Sequence, residues 1–312
     1  MKKYLSSILI ILSFNLFAQS KVEQHLVNKH IKGLVKEPNN LYFLVIGDWG
    51  RNGQTNQQAV ADWMGVAANQ VEASFVVSTG DNFYCCGVAS IDDPHWQSSF
   101  ENVYRSHSLQ IPWYPVLGNH DYQGNVNAQI DYSKKSRRWQ MPSRYYTKAS
   151  DDVRLIFLDT NPFIKSYHSD YLNETDLTKQ DTTRQLQWLD SLLTHKKEKM
   201  VMVFGHQPVF STGHYGNTED LVKVLKPRFE KHNVQMYFCG HEHDLQHQMI
   251  NGVNYFVSGG GSNFRKNKDN QSYTKMATVT SGFMVVSVGK TSVTIYTIDY
   301  KGKIIYQTTV EK

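Results

Sequence analysis

The sequence has few cysteines, no apolar segment long enough for a membrane span, and no concentrated run of positive charge. It contains three cysteines in 312 residues, so it lacks the framework of paired cysteines that stabilises small secreted domains. It has no internal repeat and no low-complexity tract, which excludes repeat and disordered architectures. With 40% hydrophobic and 20% charged residues, its composition is that of a globular protein with one large domain or two small ones.

The charge is mildly basic, with 33 basic against 28 acidic residues and a formal net charge of +5. A surplus of this size suits the attraction of anionic substrates, whereas nucleic acid binding requires a dense basic stripe. The two short basic runs, 134–138 and 196–199, are typical of solvated helix ends or loops. We therefore expect no nucleic acid partner.

Residues 1–19 have the features of a secretory signal peptide. Lys2 and Lys3 precede an apolar run at 5–17, which is followed by small and polar residues at 18–20. The run is short for a bilayer span, so we expect no stable membrane insertion and a secreted or periplasmic protein. The alternative is a retained anchor. We assign 20–40 as a linker.

The three cysteines stand next to the motifs described below. Cys85 and Cys86 follow Tyr84 directly, and Cys239 precedes a Gly-His turn. A bridge between neighbouring cysteines is strained, so we expect buried and unreactive thiols. Thiolate ligation of a metal is the alternative.

Short apolar runs, each followed by a polar turn marked by glycine or aspartate, recur along the chain and predict buried strands. They lie at 41–46, 74–79, 113–117, 153–158, 199–204, 234–239 and 255–258. Helical patterns lie between them at 55–69, 183–193 and 218–232. Alternating strands and helices predict an α/β layered sheet.

The C-terminal part alternates apolar and polar residues at 282–288, 292–300 and 303–310, which predicts antiparallel strands. We expect these strands to complete a second sheet behind the site. The polar segment 161–181 is predicted to be a loop, either overhanging the site or lying plainly on the surface.

Nearly every predicted strand end carries Asp, Asn or His. In α/β sheets, ligands bind just beyond the carboxyl ends of the strands. Two close metal ions need a bridging anion together with oxygen and imidazole donors, and Asp81 is the natural bridge. The candidate metal ligands are Asp48, Asp81, Tyr84, Asn119, His206, His241 and His243.

Tyr84 is the most informative member of this set. Asp48 is followed by Trp49-Gly50, so no histidine stands beside the first aspartate, and Tyr84 can fill that place. A phenolate is a hard donor and favours Fe(III). Charge transfer from phenolate to iron predicts a purple protein.

The five motifs, in this order, resemble those of the purple acid phosphatases, and most closely the small tartrate-resistant (type 5) enzymes of animals. The matching segments are 47–50, 80–84, 118–121, 205–208 and 240–243. The likeness extends over roughly 41–312. It implies one catalytic domain at 41–312, with the metallophosphoesterase α/β fold: a four-layer αββα sandwich of two mixed sheets flanked by helices.

The resemblance also implies how the ligands divide between two ions. Fe(III) would be held by Asp48, Tyr84, His243 and bridging Asp81. A divalent ion, Fe(II), Zn(II) or Mn(II), would be held by Asn119, His206, His241 and the same Asp81.

The implied activity is hydrolysis of phosphate monoesters, in small phosphorylated substrates or phosphoproteins, by a monomeric enzyme. Hydroxide supplied by the metal pair would attack phosphorus, and His120 and His214 would assist the leaving group, with His214 as proton donor. One alternative on the same site is a phosphodiesterase or a nucleotide or pyrophosphate hydrolase. Another is a redox-active iron protein that generates reactive oxygen species. No cysteine stands in 161–181 or 217–221 to tether the loop, in contrast to the animal enzymes.

Overall fold

The glycine-bounded apolar runs form strands at the positions that the pattern predicts. The computed structural model describes residues 28–150, 152–169 and 177–312. The strands are β1 (Leu41–Ile46), β2 (Phe75–Ser78), β3 (Trp113–Pro115), β4 (Tyr146–Ser150), β5 (Val153–Phe157), β6 (Met200–Phe204), β7 (Met236–Cys239), β8 (Leu245–Ile250), β9 (Val253–Ser258), β10 (Thr274–Thr278), β11 (Gly282–Val288), β12 (Ser292–Asp299) and β13 (Ile304–Glu311). The α-helices are α1 (Gln57–Val71), α2 (Val126–Tyr132), α3 (Thr182–Thr194) and α4 (Glu219–Lys231).

The strands form two mixed sheets. The first has the order β13-β12-β11-β1-β2-β3, and the second has the order β10-β8-β9-β7-β6-β5-β4. Parallel pairing joins β1, β2 and β3 in the first sheet and β5, β6, β7 and β9 in the second. In the first sheet the parallel strands reach one edge, and in the second they are central. Antiparallel strands complete both sheets. This is the predicted α/β arrangement of two mixed sheets.

The C-terminal strands do not build the second sheet, and that expectation was wrong. Strand β11 pairs antiparallel with β1, with Leu41 opposite Val288, and β12 and β13 continue the first sheet outward. The side of β1 away from β2 needs a partner, and β11 is buried along its whole length. The antiparallel strands of the second sheet are β4, β8 and β10.

Aromatic side chains fill the space between the sheets, and helices cover their outer faces. Phe43 of the first sheet lies 6.4 Å from Phe204 of the second, measured between ring centroids. Helix α1 packs on the first sheet. Helix α4 buries Leu221, Leu225 and Phe229, a spacing that gives one apolar face toward the second sheet. Together, helices and sheets form four layers.

The remaining segments are short or lie partly outside the described residues. The predicted signal peptide at 1–19 lies outside them, and the described part of the 20–40 segment packs Ile31 and Leu34 against the core. The predicted loop contains 3₁₀ turns at Asn161–Phe163, Lys165–Ser169 and Leu177–Lys179. Within the described part of the chain, no helix has the length and apolar character needed to cross a membrane.

Candidate metal centre

The predicted ligands lie in turns at the carboxyl ends of five parallel strands. These strands are β1, β2 and β3 in the first sheet and β6 and β7 in the second. Three of the ligands have left-handed backbone conformations, with φ of 60° at Asp48, 50° at Asp81 and 69° at His241. Such conformations cost energy in non-glycine residues and concentrate at functional sites. These backbone conformations therefore point the three side chains in directions that a regular continuation of the strand would not allow.

Two glycines allow these turns to approach one another. A Cβ on Gly118 would lie 2.1 Å from Asp81 Oδ1, and a Cβ on Gly80 would lie 2.6 Å from His206 Nδ1. Gly80 also has a φ of +94°, which favours glycine. Any side chain at either position would displace a ligand.

The first group of ligands surrounds the Tyr84 hydroxyl. Its oxygen lies 3.0 Å from Asp48 Oδ1, 2.9 Å from Asp81 Oδ2 and 3.0 Å from His243 Nε2. All four side chains are buried. A phenol has a single proton, so it can donate to only one of these three neighbours.

The second group surrounds the Asn119 amide oxygen. Asn119 Oδ1 lies 3.2 Å from His206 Nε2 and 3.1 Å from His241 Nδ1. His206 Nε2 also lies 3.3 Å from Asp81 Oδ1. The two oxygens of Asp81 therefore lie one in each group, and Asp81 joins them.

The chemistry of both groups fits metal ions. Ligands bound at about 2.0–2.2 Å to one small ion lie about 3 Å from each other, which is the spacing seen in both groups. One oxygen or nitrogen each from Asp48, Asp81 and His206 lies within 4.8 Å of the others. His206 Nδ1 lies 2.8 Å from the carbonyl oxygen of Thr79, the orienting hydrogen bond that metal-binding histidines usually make. The predicted seven ligands are thus brought together, in two sets that share Asp81.

Charge within the site shifts the pKa values of its members in opposite directions. Burial raises the pKa of Asp81, but His206, His120 and His241 outweigh it and the net pKa is lowered. Burial lowers the pKa of His206, but the Asp81 carboxylate raises it to about 9. Burial, followed by Asp48 and Asp81, raises the pKa of Tyr84 well above its usual value, although Arg51 acts in the opposite direction. A phenolate here therefore requires added positive charge of the kind that a metal ion supplies.

The two predicted catalytic histidines lie at different distances from the ligands. The ring of His120 lies 4.5 Å from the ring of Tyr84, and its Nε2 lies 4.0 Å from Asp81 Oδ2. His214 is exposed, and its ring lies 4.9 Å from the ring of Tyr215. Tyr215 in turn stacks on His241 at 4.7 Å. His120 thus adjoins the ligands directly, and His214 adjoins a residue that does.

The cysteines differ from the prediction. Cys239 is buried as a free thiol, as expected, but Cys85 and Cys86 are exposed and form a disulfide with each other. The chain returns to the surface immediately after buried Tyr84, so these two side chains do not enter the core. The expectation of buried free thiols at these two positions, based on the strain of a bridge between neighbours, is wrong. The structure contains this bridge beside the predicted Fe(III) ligand.

Several residues around the site were not predicted to have a role. Asp121 accepts hydrogen bonds from the turns that carry Asp81 and Asn119. Glu242 binds the loop at 213–216 through its backbone amides. Arg51 lies over the Tyr84 ring, Tyr215 stacks on His241, and the backbone N–H of Arg265 donates to the carbonyl of His243. Asp121 and Glu242 stand inside the quoted motifs, which is a signal that could have revealed them. The other three have no such local signal.

Comparisons with known proteins agree with this fold. Residues 41–245 match the family model of the calcineurin-like phosphoesterases. Purple acid phosphatase 3 of Arabidopsis thaliana is 36% identical over 286 residues, which cover 87% of this chain and 78% of that protein. Tartrate-resistant acid phosphatase type 5 of Homo sapiens is 36% identical over 295 residues, covering 86% of this chain and 90% of that protein.

Two solved structures have the same fold. One is described as GAP50, the anchor in the inner membrane complex of Plasmodium. It has a TM-score of 0.75 and 24% identity, and the match covers 87% of this chain and 89% of that one. The other is purple acid phosphatase PPD1 from yellow lupin seeds, with a TM-score of 0.66 and 14% identity, covering 88% and 54%. At these identities the likeness concerns the fold alone.

The two-sheet fold with its ligand-bearing turns is that of a calcineurin-like phosphoesterase. Within that class, the chain belongs to the purple acid phosphatases, at 36–41% identity over most of its length to members from plants and animals. It is therefore a metal-dependent phosphatase with a site for two metal ions.

Proposed function

We propose that this protein is an acid phosphatase that hydrolyses phosphate monoesters with an Fe(III)–M(II) pair. The observation that carries the proposal is the position of the Tyr84 hydroxyl, within 3.0 Å of two carboxylates and an imidazole. A phenol oxygen among anionic donors suits a hard trivalent ion. The relatives named acid phosphatases support the choice of reaction.

The proposed division of ligands follows the two groups. Asp48, Tyr84 and His243 would hold Fe(III), Asn119, His206 and His241 would hold Fe(II), Zn(II) or Mn(II), and Asp81 would belong to both. When bound, two such ions neutralise a phosphate and lower the pKa of water enough to provide a nucleophile in acid.

Residues of the chain would then position the substrate and move the leaving-group proton. The backbone N–H of His120 donates to Asp81 Oδ1 at 2.9 Å, which fixes the His120 turn beside the ligands. A side chain in this position can hydrogen-bond the phosphate or protonate the leaving oxygen. His214 is the second proposed donor, from the exposed loop beside Tyr215.

Metal analysis and a visible spectrum of the purified protein test the proposal. We expect one iron, one divalent ion and a charge-transfer band that disappears in Tyr84→Phe, together with turnover of phenyl phosphate. Tyr255→Phe is the matched control, because Tyr255 is buried and its hydroxyl has no hydrogen-bond partner among the described residues. A colourless protein with two zinc or manganese ions would refute the Fe(III)–tyrosinate assignment.

We also propose that the protein is exported, acts on small phosphorylated substrates or phosphoproteins as a monomer, and has no nucleic acid partner. The exposed Cys85–Cys86 disulfide supports export, because such bonds persist in oxidising compartments. Mass spectrometry of the mature protein should find an N-terminus near residue 20. An intact N-terminus on a protein that remains in the membrane fraction would contradict export.

A further inference from the structure

An aromatic and basic rim lies over the group of ligands proposed for the divalent ion. The ring of Tyr215 stacks on the ring of His241, with 4.7 Å between centroids and 25° between planes. Arg265 Nη1 donates a hydrogen bond to the Tyr215 hydroxyl at 2.7 Å. Tyr215 is 52% exposed, so its ring faces solvent while it also contacts the candidate metal ligand His241.

Backbone hydrogen bonds fix both parts of this rim to the ligand turn. The N–H of Arg265 donates to the carbonyl of His243 at 2.9 Å. On the other side, Glu242 Oε1 accepts from the N–H of Tyr215 at 2.7 Å and from the N–H of Gly216 at 2.8 Å. Glu242 is buried, and in the sequence it stands between the candidate ligands His241 and His243. The rim is therefore built onto the metal turn, and its position depends on that turn.

Positive charge at the rim is left without an acidic partner. Within the described residues, no carboxylate forms a salt bridge with Arg265 or with Lys268, whose Nζ lies 3.4 Å from the carbonyl of Tyr215. The Lys268 backbone N–H donates to Thr212 at 2.7 Å, which holds this second cation on the same side. Unpaired cations beside a phosphate-binding centre attract a further anion.

We infer that Tyr215 and Arg265 form a leaving-group subsite, which selects substrates whose leaving group carries an anionic group of its own. The inference rests on the proposed function. In a monoester, everything beyond the phosphate held by the metals is leaving group, and the rim places the cations of Arg265 and Lys268 at Tyr215, which stacks on His241. A leaving group that carries a phosphate would meet the guanidinium of Arg265. The Tyr215 hydroxyl keeps that guanidinium in place, and its ring covers His241.

The alternative is a purely structural role, in which Tyr215 and Arg265 only hold the loop at 213–216 against the ligand turn at 240–243. Removal of the arginine would then affect all substrates alike. Substitution at Arg265 should instead separate substrates by the charge of their leaving groups, a difference that a purely structural role does not produce.

Binding and turnover measurements on the metal-loaded protein distinguish these cases. For Arg265→Gln, we expect kcat/KM for inorganic pyrophosphate to fall about tenfold or more relative to that for phenyl phosphate, as loss of a charge-assisted contact predicts. Calorimetry should show methylenediphosphonate losing affinity by a similar factor while inorganic phosphate binds nearly as before. Tyr215→Phe should show a smaller change in the same direction. The controls are Arg105→Gln and Tyr300→Phe, which alter partly or fully exposed residues elsewhere.

Equal losses for both substrates and both ligands would overturn the subsite. The binding arm separates this outcome from failure of the proposed function. If the wild-type protein hydrolyses no monoester but binds methylenediphosphonate in a way that depends on Arg265, the subsite stands and the phosphatase assignment falls. If it hydrolyses phenyl phosphate and Arg265→Gln has no selective effect, the phosphatase assignment stands and the subsite falls.

Discussion

At the residue scale, the metal ligands depend on buried neighbours that bind no metal themselves. Asp121 is fully buried and accepts hydrogen bonds from Gly118 N at 2.8 Å, Asn82 N at 3.1 Å and Gln129 Nε2 at 2.9 Å. These donors belong to the turns after β2 and β3 and to helix α2. One carboxylate therefore fixes the spacing between the turn of Asp81 and the turn that carries the amide ligand.

Replacing Asp121 with alanine is expected to lower the free energy of unfolding by about 3 kcal/mol. The reason is that several buried N–H groups would lose their acceptor, and unsatisfied buried donors are costly. The metal content should fall as well, because the two turns would no longer be held at a fixed distance. Chemical denaturation and metal analysis of the purified variant measure both effects.

Asp131→Ala is the control for that experiment. Asp131 is half-exposed and its side chain pairs with Lys134 on the surface, so its loss should change stability by less than about 0.5 kcal/mol. If the Asp121→Ala protein keeps both its stability and its full metal content, the turns that carry Asp81 and Asn119 are positioned by other contacts.

The residue scale also shows where sequence reasoning stops. The candidate ligands stand out in the sequence because each lies in a local motif after an apolar run. The roles of Tyr215 and Arg265 arise from contacts across the fold, one with His241 and one with Tyr215 itself. Such contacts exist only once the turns are folded together, and no local pattern encodes them.

At the scale of elements, strand β8 carries a histidine in an apolar setting. His247 stacks on Phe256 with 4.3 Å between ring centroids, and its ring nitrogens lie near the Tyr306 hydroxyl and Asn254 Oδ1. The charge facing it is that of Lys275, from neighbouring β10. Burial, with Lys275 acting in the same direction, lowers the pKa of His247 to about 4.

This shift predicts that the protein loses stability in acid. In the unfolded chain the pKa is about 6.5, so below that pH the unfolded state takes up a proton that the folded state does not. The contribution is fully present above pH 6.5 and is lost as the pH falls toward 4, by about 3 kcal/mol in total. His247→Gln, which cannot titrate, should show a flatter dependence of Tm on pH between 7 and 4.

The exposed histidine of α3's C-terminal end provides a comparison. His195 is exposed and bonds a backbone carbonyl on its own helix, so His195→Gln is a matched substitution outside strand β8. If the wild-type and His247→Gln curves are parallel, His247 is protonated as readily in the folded protein as in the unfolded one.

Strand β8 also explains why some elements were not predicted from the sequence. Its Gln246, His247 and Gln248 are polar yet buried, so no hydrophobic alternation marks the strand. The buried amide of Gln246 is compensated by hydrogen bonds from distant residues, such as Thr212 N–H to Gln246 Oε1 at 2.9 Å. By contrast, the hydrophobic central strands β1, β6 and β7 were predicted nearly to their ends, because burial on both faces leaves an apolar run.

At the scale of the whole molecule, the metal centre joins the two sheets. The turns after β1, β2 and β3 supply Asp48, Asp81, Tyr84 and Asn119, whereas the turns after β6 and β7 supply the three histidines. Each ligand group contains members from both sheets: His243 meets Tyr84 in one, and His206 and His241 meet Asn119 in the other. We therefore expect metal binding to stabilise the packing of one sheet on the other.

Removal of the metals is accordingly expected to destabilise the whole domain, and we predict a single unfolding transition at a lower temperature. A ligand present at 1,000 times its dissociation constant contributes about 4 kcal/mol to the folded state, which corresponds to a fall in Tm of about 10 °C. Differential scanning calorimetry with and without a chelator measures this shift. In Asp81→Asn, which weakens the residue shared by both ligand groups, the chelator should have little further effect. Two separate unfolding transitions in the chelated wild-type protein would show instead that each sheet is stable on its own. The metals would then bind between the sheets without stabilising their packing.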